Sequence, residues 1–400
     1  MKNLIVIILI ILSLILFQNL SAQSPKFDNR VNMGLLEHDS INEASGLAAS
    51  RKNTNVLWTH NDSGDNNRIF ALDIYGKHLG IYQIGSIHAK DWEDMAIGHG
   101  PEDGIDYIFI GDIGDNGANH SLNYIYRIKE PVVQPDQTPK DSLITNDFID
   151  TIIYQYPDGA RDAEALFVDP VTKNIYIISK QDIKANVYLA RYPQPISEIF
   201  TLEHVATLNI PKVVAADISK TGEEILIKTY TSIFYWQRDT ADTLWNVFST
   251  APDTLPYIME LQGESVCWAG DDSGYFTLSE EPYRIQAYLY FYPRSKNTSI
   301  KRTPNKPGAF FLKQNHPNPF NQSTTISYYL EKPGNVQIIV YDELGRLVNS
   351  LSREVNNIGE QSEIWDGKDS RGNLSPSGIY YYALKIGEKI SQVKNMVLLK

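Results

Sequence analysis

The sequence predicts an all-β chain, and three observations carry that reading. Aromatic residues are abundant, with 24 Tyr, 14 Phe and 6 Trp among 400 residues, set in alternating stretches rich in Val, Ile and Tyr. Turn residues break these stretches at short intervals, as in Tyr75-Gly76-Lys77 and Lys220-Thr221-Gly222. An acid followed by a small apolar strand recurs in five places: Glu43-Ala44-Ser45-Gly46-Leu47, Glu93-Asp94-Met95-Ala96, Glu164-Ala165-Leu166-Phe167, Asp217-Ile218-Ser219 and Glu264-Ser265-Val266-Cys267-Trp268. The acids lie 50, 71, 53 and 47 residues apart, room for one four-stranded unit each and an insertion in the second. This predicts a five-bladed β-propeller, or a six-bladed one if residues 131–150 hide strands, followed by a small Ig-like β-sandwich. An open sandwich with chance repeats is the competing fold.

The elements follow in order. Met1-Lys2-Asn3 is basic, 4–16 is almost unbroken Leu and Ile, and Leu20-Ser21-Ala22 offers small residues for cleavage, so 1–22 reads as a secretory signal peptide. A membrane anchor is the competing reading, and no cysteine follows to suit a lipoprotein. Residues 23–293 are the propeller. After Glu43 come strands at Val56–His60, Arg68–Asp73 and His78–Gln83. After Glu93 they fall at Tyr107–Gly111, Asn123–Ile128 and Ile149–Gln155. After Glu164 they fall at Asn174–Ser179, Ala185–Arg191 and Glu203–Leu208. After Asp217 they fall at Glu224–Tyr230, Ser232–Gln237 and Leu244–Phe248, and after Glu264 only at Gly274–Ser279 and Ile285–Tyr292. Val31–Glu37 supplies the strand missing from the last unit and closes the ring, which removes free sheet edges.

Composition narrows the function. The net charge is −12 and residues 23–293 carry −19, which argues against nucleic-acid binding. Residues 294–307 hold five basic residues and no acid and read as a linker; 308–400 form the second domain, net +1. The one cysteine, Cys267, excludes a disulfide framework and a cysteine zinc site, and its apolar strand makes it buried and inert. There is no Gly-x-Ser-x-Gly, His-Glu-x-x-His, P-loop or dinucleotide fingerprint.

In a propeller the first strand of every unit lines the channel, so the five acids are expected to meet at one mouth. Carboxylates crowded there need a counterion. A calcium ion, which takes six to eight oxygens at flexible geometry, suits Glu43, Glu93, Glu164, Asp217 and Glu264, helped by Ser45 and Ser265. The alternative is neutralisation by water and by Arg161, Lys180 and Lys228. The polar loops at the same face include Thr59-His60-Asn61-Asp62, Gly111-Asp112-Ile113-Gly114-Asp115-Asn116 and Ser179-Lys180. His60, Asp62 and Lys180 are the catalytic candidates, His60 as a general base beside Asn61 and Asp62.

Glu-x-Ser-Gly-Leu, Asp-Trp-Glu-Asp, Gly-Asp-Ile-Gly-Asp-Asn and Asp-Ala-Glu-Ala-Leu resemble segments of uncharacterised secreted bacterial propellers over roughly 40–290. Glu264-Ser265-Val266-Cys267-Trp268 is similar to a channel segment of calcium-activated nucleotidases of the apyrase type. That likeness implies five blades, a calcium at the mouth and, if the chain is an enzyme, metal-dependent hydrolysis of phosphate esters or nucleotides, with Lys180, Lys228 and Arg284 facing phosphate. The leading expectation is a calcium-stabilised binding module for an unknown ligand; a structural surface protein is a further alternative.

The second domain is more legible. Strands are predicted at Ser323–Leu330, Asn335–Tyr341, Leu347–Leu351, Gly359–Asp366, Gly378–Ile386 and Ile390–Leu399, around a core of Trp365 and the Tyr380–Tyr382 run. Asn318-Pro319-Phe320, Val340-Tyr341-Asp342 with Gly345-Arg346, Trp365-Asp366-Gly367, Gly378-Ile379-Tyr380 and the tail Lys394 to Lys400 resemble the type A C-terminal sorting domain of the type IX secretion system. A flagellar hook-cap type Ig-like domain shares the Trp-Asp-Gly and Gly-x-Tyr features. The sorting resemblance implies passage through the periplasm, recognition by the outer-membrane translocon, tail processing, and release or surface attachment.

Overall fold

The computed structural model describes residues 27–400 apart from 63, 86, 88, 181–182, 282–285, 296–309, 331, 343–344, 387–388 and 391–392. The predicted signal peptide, most of the predicted linker and Arg284 therefore lie outside the described residues. No helix among those described is long and apolar enough to cross a membrane.

The described residues of 31–293 form five sheets. Sheet 1 holds Ala44–Ala49, Val56–Asn61, Arg68–Asp73 and His78–Ile84; sheet 2 holds Trp92–His99, Asp106–Asp112, Asn123–Lys129 and Ile149–Gln155. Sheet 3 holds Ala163–Val168, Ile175–Ser179, Ala185–Ala190 and Glu203–Leu208; sheet 4 holds Val213–Ile218, Glu224–Thr229, Ile233–Gln237 and Asp253–Leu255. Sheet 5 holds Ser265–Trp268, Gly274–Leu278 and Tyr288–Pro293, completed by Val31–Leu35, which pairs antiparallel with Tyr288–Pro293. The insertion in the second repeat contributes a strand, Lys140–Ile144, but this strand adds in parallel to the edge of sheet 1 and starts no further sheet.

The sheets pack face to face in a cycle. Separate apolar clusters fill the spaces between sheets 1 and 2, around Trp58, Ile69, Met95 and Ile110, and between sheets 2 and 3, around Phe109, Leu166 and Tyr188. A third lies between sheets 3 and 4, around Phe167, Ile178, Ile225 and Trp236, and a fourth between sheets 4 and 5, around Tyr235, Trp268 and Tyr275. A fifth joins sheet 5 back to sheet 1 through Cys267, Phe276, Leu47 and Phe70. Sheets covered on both faces need apolar residues at successive positions, which is why Ile175–Ser179 reads Ile-Tyr-Ile-Ile-Ser and is buried throughout.

The first strands of the five sheets lie side by side in the same cyclic order, and polar side chains stitch them. Ser265 Oγ donates to the carbonyl of Ser45, and Ser45 Oγ to the carbonyl of Glu93. Asp94 Oδ2 accepts from the amides of Leu166 (3.0 Å) and Ala216 (3.2 Å), and Asp217 Oδ2 from the amide of Trp268 (2.7 Å). Every sheet is thus tied to another at the axis.

One predicted strand is something else. Leu244–Ser249 is a 3-10 helix, and the fourth strand of sheet 4 is Asp253–Leu255. The apolar residues Leu244, Trp245, Val247 and Phe248 recur every three residues, the period of a 3-10 turn, and pack against the cluster around Trp236.

The C-terminal region is a two-sheet sandwich. Phe310–Leu312, Thr324–Leu330 and Gly359–Trp365 face Leu347–Val355, Gly334–Tyr341, Gly378–Ile386, Lys389–Ile390 and Lys394–Leu398. Trp365 is fully buried between them, stacked edge-on against Phe320 and Tyr380. Asn318 and Phe320 strap the last strand down: Val397 N donates to Asn318 Oδ1 (2.8 Å), Phe320 N to the Val397 carbonyl (2.9 Å) and Leu399 N back to Phe320 (2.8 Å). Gly345 takes φ +76°, the left-handed conformation its turn requires, and Arg346 pairs with Asp342. Gly378 opens the strand that carries Tyr380, whose hydroxyl donates to the Pro376 carbonyl; Lys400 reaches Ser375 and Ser377, while Lys394 begins the last strand.

Candidate functional site

The inner strands begin with β-bulges. The ladder slips between Ala44 and Leu47, Trp92 and Met95, Ala163 and Ala165, and Val213 and Ala215. A bulge puts two residues against one and re-aims side chains at the strand start. Ala44, Trp92, Ala163 and Val213 pair with Asn61, Asp112, Ser179 and Thr229, so the next residues, Ser45, Glu93, Glu164 and Val214, are equivalent around the axis. Glu264 stands at the same point before Ser265.

Three of the five predicted ligands therefore meet. Glu93, Glu164 and Glu264 are buried at one end of the inner strands and repel one another. Glu43 lies two residues too early: it is exposed, its carbonyl accepts from Asp62 N (2.8 Å), and its carboxylate is near enough to Glu280 to repel it. Asp217 lies at the other end of its strand, in a small pocket with Arg51, Lys220 and Trp268. Burial pushes its carboxyl up to about 7, while the amides of Trp268 and Ile218 pull the other way. Ser45 and Ser265 spend their hydroxyls on neighbouring carbonyls rather than on the mouth.

The mouth gains groups the repeat did not indicate. Asp62, Asp91 and Glu93 each bring a carboxylate oxygen to within 4.8 Å of the others, and so do Glu93, Asp162 and Glu164. Asp91 and Asp162 precede Glu93 and Glu164 by two residues, and the repeated Asp-x-Glu was their signal. Gly114 closes over this group: a Cβ there would collide with Glu93 Oε1 and Asp91 Oδ2. The other acids of the Gly111–Asn116 loop hold backbone, Asp112 accepting from the amide of Asp91 (2.9 Å) and Asp115 from those of Asn119 (2.9 Å) and His120 (2.6 Å).

On the far side, Lys180 pairs with Glu164 and donates to Tyr230 Oη (3.1 Å), and Tyr230 donates to Glu264 (2.8 Å). Glu280 hydrogen-bonds Glu264, and burial followed by that neighbouring carboxylate pushes its carboxyl up to about 9. Burial first, and then like charge from Glu164 and Asp62, holds the Glu93 carboxyl well above the usual carboxylate range. Arg161 is paired with Asp158, and Lys228 is fully buried, with its ammonium on the Gly263 carbonyl.

His60 is not at the mouth. It is fully buried, edge-on to Trp92 at 5.5 Å, with Nδ1 2.8 Å from the Asn61 carbonyl, and Gly46 lies against its Nε2. Of the catalytic candidates, Asp62 and Lys180 remain with the carboxylates. Burial lowers the His60 pKa from 6.5 to about 4. The neutral ring's contribution to stability is therefore complete above pH 6.5 and lost as pH falls toward 4, by ~3 kcal/mol. Denaturant unfolding of wild type and His60→Gln at pH 7 and pH 4 should show wild type losing about that much relative to the variant; parallel profiles would contradict a buried neutral His60.

The all-β architecture and its C-terminal sandwich define a class, and comparison refines the second part. The family model described as the FlgD Ig-like domain matches residues 318–388. No curated protein matches the chain. Among solved structures, the chain is similar to PorZ, described as an essential surface component of the type IX secretion system of Porphyromonas gingivalis, at 12% identity and TM-score 0.33, over 89% of this chain and 45% of that one. It is also similar to FlgD from P. aeruginosa, at 27% identity and TM-score 0.17, over 22% of this chain and 66% of that one. A nidogen/laminin complex matches at 12% identity and TM-score 0.38, over 61% and 74%. The chain spans under half the length of the PorZ structure it matches.

Proposed function

We propose that residues 27–295 form a five-bladed β-propeller that acts outside the cell as a calcium-stabilised binding module. The Ig-like domain serves as its type IX sorting domain and addresses it to the outer-membrane translocon. The single observation behind the binding reading is the meeting of Glu93 and Glu164 with Asp62, Asp91 and Asp162 beneath Gly114. Hard oxygen donors brought this close together suit calcium, which leaves coordination positions for a ligand's own oxygens. The sorting reading rests on the motif residues quoted above. Asn318, Phe320, Trp365 and Tyr380 hold together the sandwich and its last strand, the surface such a translocon would read.

Calcium should raise the melting temperature of the full chain, and EDTA should reverse it. At calcium one hundred times its Kd the gain is about 2.7 kcal/mol. Glu93→Gln should abolish the response. An unchanged melt in EDTA and calcium would reject the calcium reading.

A further inference from the structure

The sandwich carries an apolar surface that its own core does not require. In the sheet that holds Gly334–Tyr341 and Gly378–Ile386, Ile338, Val340, Tyr382 and Leu384 belong to the core around Trp365. Alternation turns their neighbours to the outer face. At one end of that face the paired residues are Gln337 and Lys385, as solvent demands. At the other they are Ile339 with Ala383 and Tyr341 with Tyr381. Ile339, Tyr341 and Ala383 are nonetheless buried, under Val393 of the sandwich and Leu261 of the first region. Gly345 adds to the contact: a Cβ there would lie 3.2 Å from the amide nitrogen of Gln262.

Leu261 belongs to segment 256–264, which runs from the last strand of sheet 4 to the first strand of sheet 5 and ends in Glu264 at the mouth. Groups of the sheets fix this segment. Arg30 donates to the Ile258 carbonyl (3.2 Å), Thr277 to the Glu260 carboxylate (2.5 Å) and Lys228 to the Gly263 carbonyl. Glu280 touches both the docking end and the mouth end: its amide donates to the Gln262 carbonyl (3.1 Å), and its carboxyl hydrogen-bonds Glu264. We infer that the sandwich is latched on the rim of the mouth through Leu261, and that this docking is coupled to cation binding there; the coupling rests on the binding reading above, the latch does not.

The coupling has a direction. Glu264 repels Glu93 and Glu164, so a cation among them steadies the mouth end of segment 256–264. Docking steadies the same segment from Leu261. Each event meets part of the ordering cost of the other, which makes them mutually favourable. The latch can also open. The apolar contact is small, and small contacts between domains permit relative motion. Tyr341 Oη is buried without a hydrogen-bond partner among the described residues, and it regains water when the sandwich is free.

Small-angle X-ray scattering on the full chain tests the latch. Wild type should scatter as the docked arrangement does, and Leu261→Asp and Ala383→Glu should each show a larger radius of gyration. Both substitutions fall on the contact and leave the core around Trp365 in place; one suffices if the other does not fold. A wild type as extended as the variants would overturn the latch and the coupling together. Calorimetric titration with calcium then tests the coupling. Leu261→Asp should bind calcium about five-fold more weakly than wild type, or weaker still. An equal Kd in a variant whose scattering shows release would overturn the coupling and leave the latch standing. No calcium binding by wild type would reject the cation reading and the coupling with it, while the scattering still judges the latch.

Discussion

Asp94→Ala is expected to cost about 3–5 kcal/mol, because one buried carboxyl joins three sheets at the axis. Its Oδ1 accepts from the amide of Met95 (2.8 Å) within its own strand, and its Oδ2 from Leu166 and Ala216 on sheets 3 and 4. Asp94 is fully buried, and burial holds its carboxyl well above the usual carboxylate range while the three amides pull it back. Alanine leaves the Leu166 and Ala216 amides unsatisfied in the interior, each at about 1–3 kcal/mol, offset in part by no longer burying an acid. At roughly 2–4 °C per kcal/mol for a domain of this size, the melting temperature should fall by on the order of 10 °C. Asp94→Asn can keep an oxygen toward Leu166 and Ala216 and lose only Met95, at about 1 kcal/mol. If alanine and asparagine melt together near wild type, the carboxyl does not hold the sheets.

Removing residues 308–400 should leave the remaining chain in the periplasm and nearly absent from the surface and medium. The effect is expected to be large because an export address is read or not read. The sandwich has its own core around Trp365, Tyr328, Tyr382 and Met396, so it can present a folded surface to a receptor. It also touches the first region, where Leu261 packs against Ile339, Tyr341 and Ala383, so the truncated chain must be shown to be folded. Protease resistance of the periplasmic product supplies that control. Surface display of the truncated chain would refute the sorting role. A milder version tests the same surface: Asn318→Ala removes the acceptor for Val397 N, loosening the last strand while leaving Trp365 in place.

Much of this molecule could be read before its coordinates. Burial on both faces of a sheet demands unbroken apolar runs, so strands such as Ile108–Ile110 and Ile175–Ile178 announced themselves, and Val31–Leu35 was legible as the strand that completes sheet 5. The sandwich was legible because Trp365, Tyr380 and the turns at Gly345 and Gly367 are local features. Leu244–Ser249 misled because a short apolar run satisfies a strand and a 3-10 turn alike, and only its packing on Trp236 chose.

The carboxylate mouth divides along the same line. The sequence alone determined that an acid recurs once per sheet near an inner strand, because that spacing is written in the chain. Which acids meet was decided by tertiary structure. A bulge adds one residue to a strand, and one residue reverses the direction of every side chain beyond it. The pairing register made Ser45 the equivalent of Glu93, two residues past Glu43, and Val214 its equivalent on sheet 4, three residues before Asp217. Lys180 was already placed at this face by its loop, but that it pairs with Glu164 and Tyr230, and that Tyr230 and Glu280 meet Glu264, are contacts between sheets that leave no mark in a sequence.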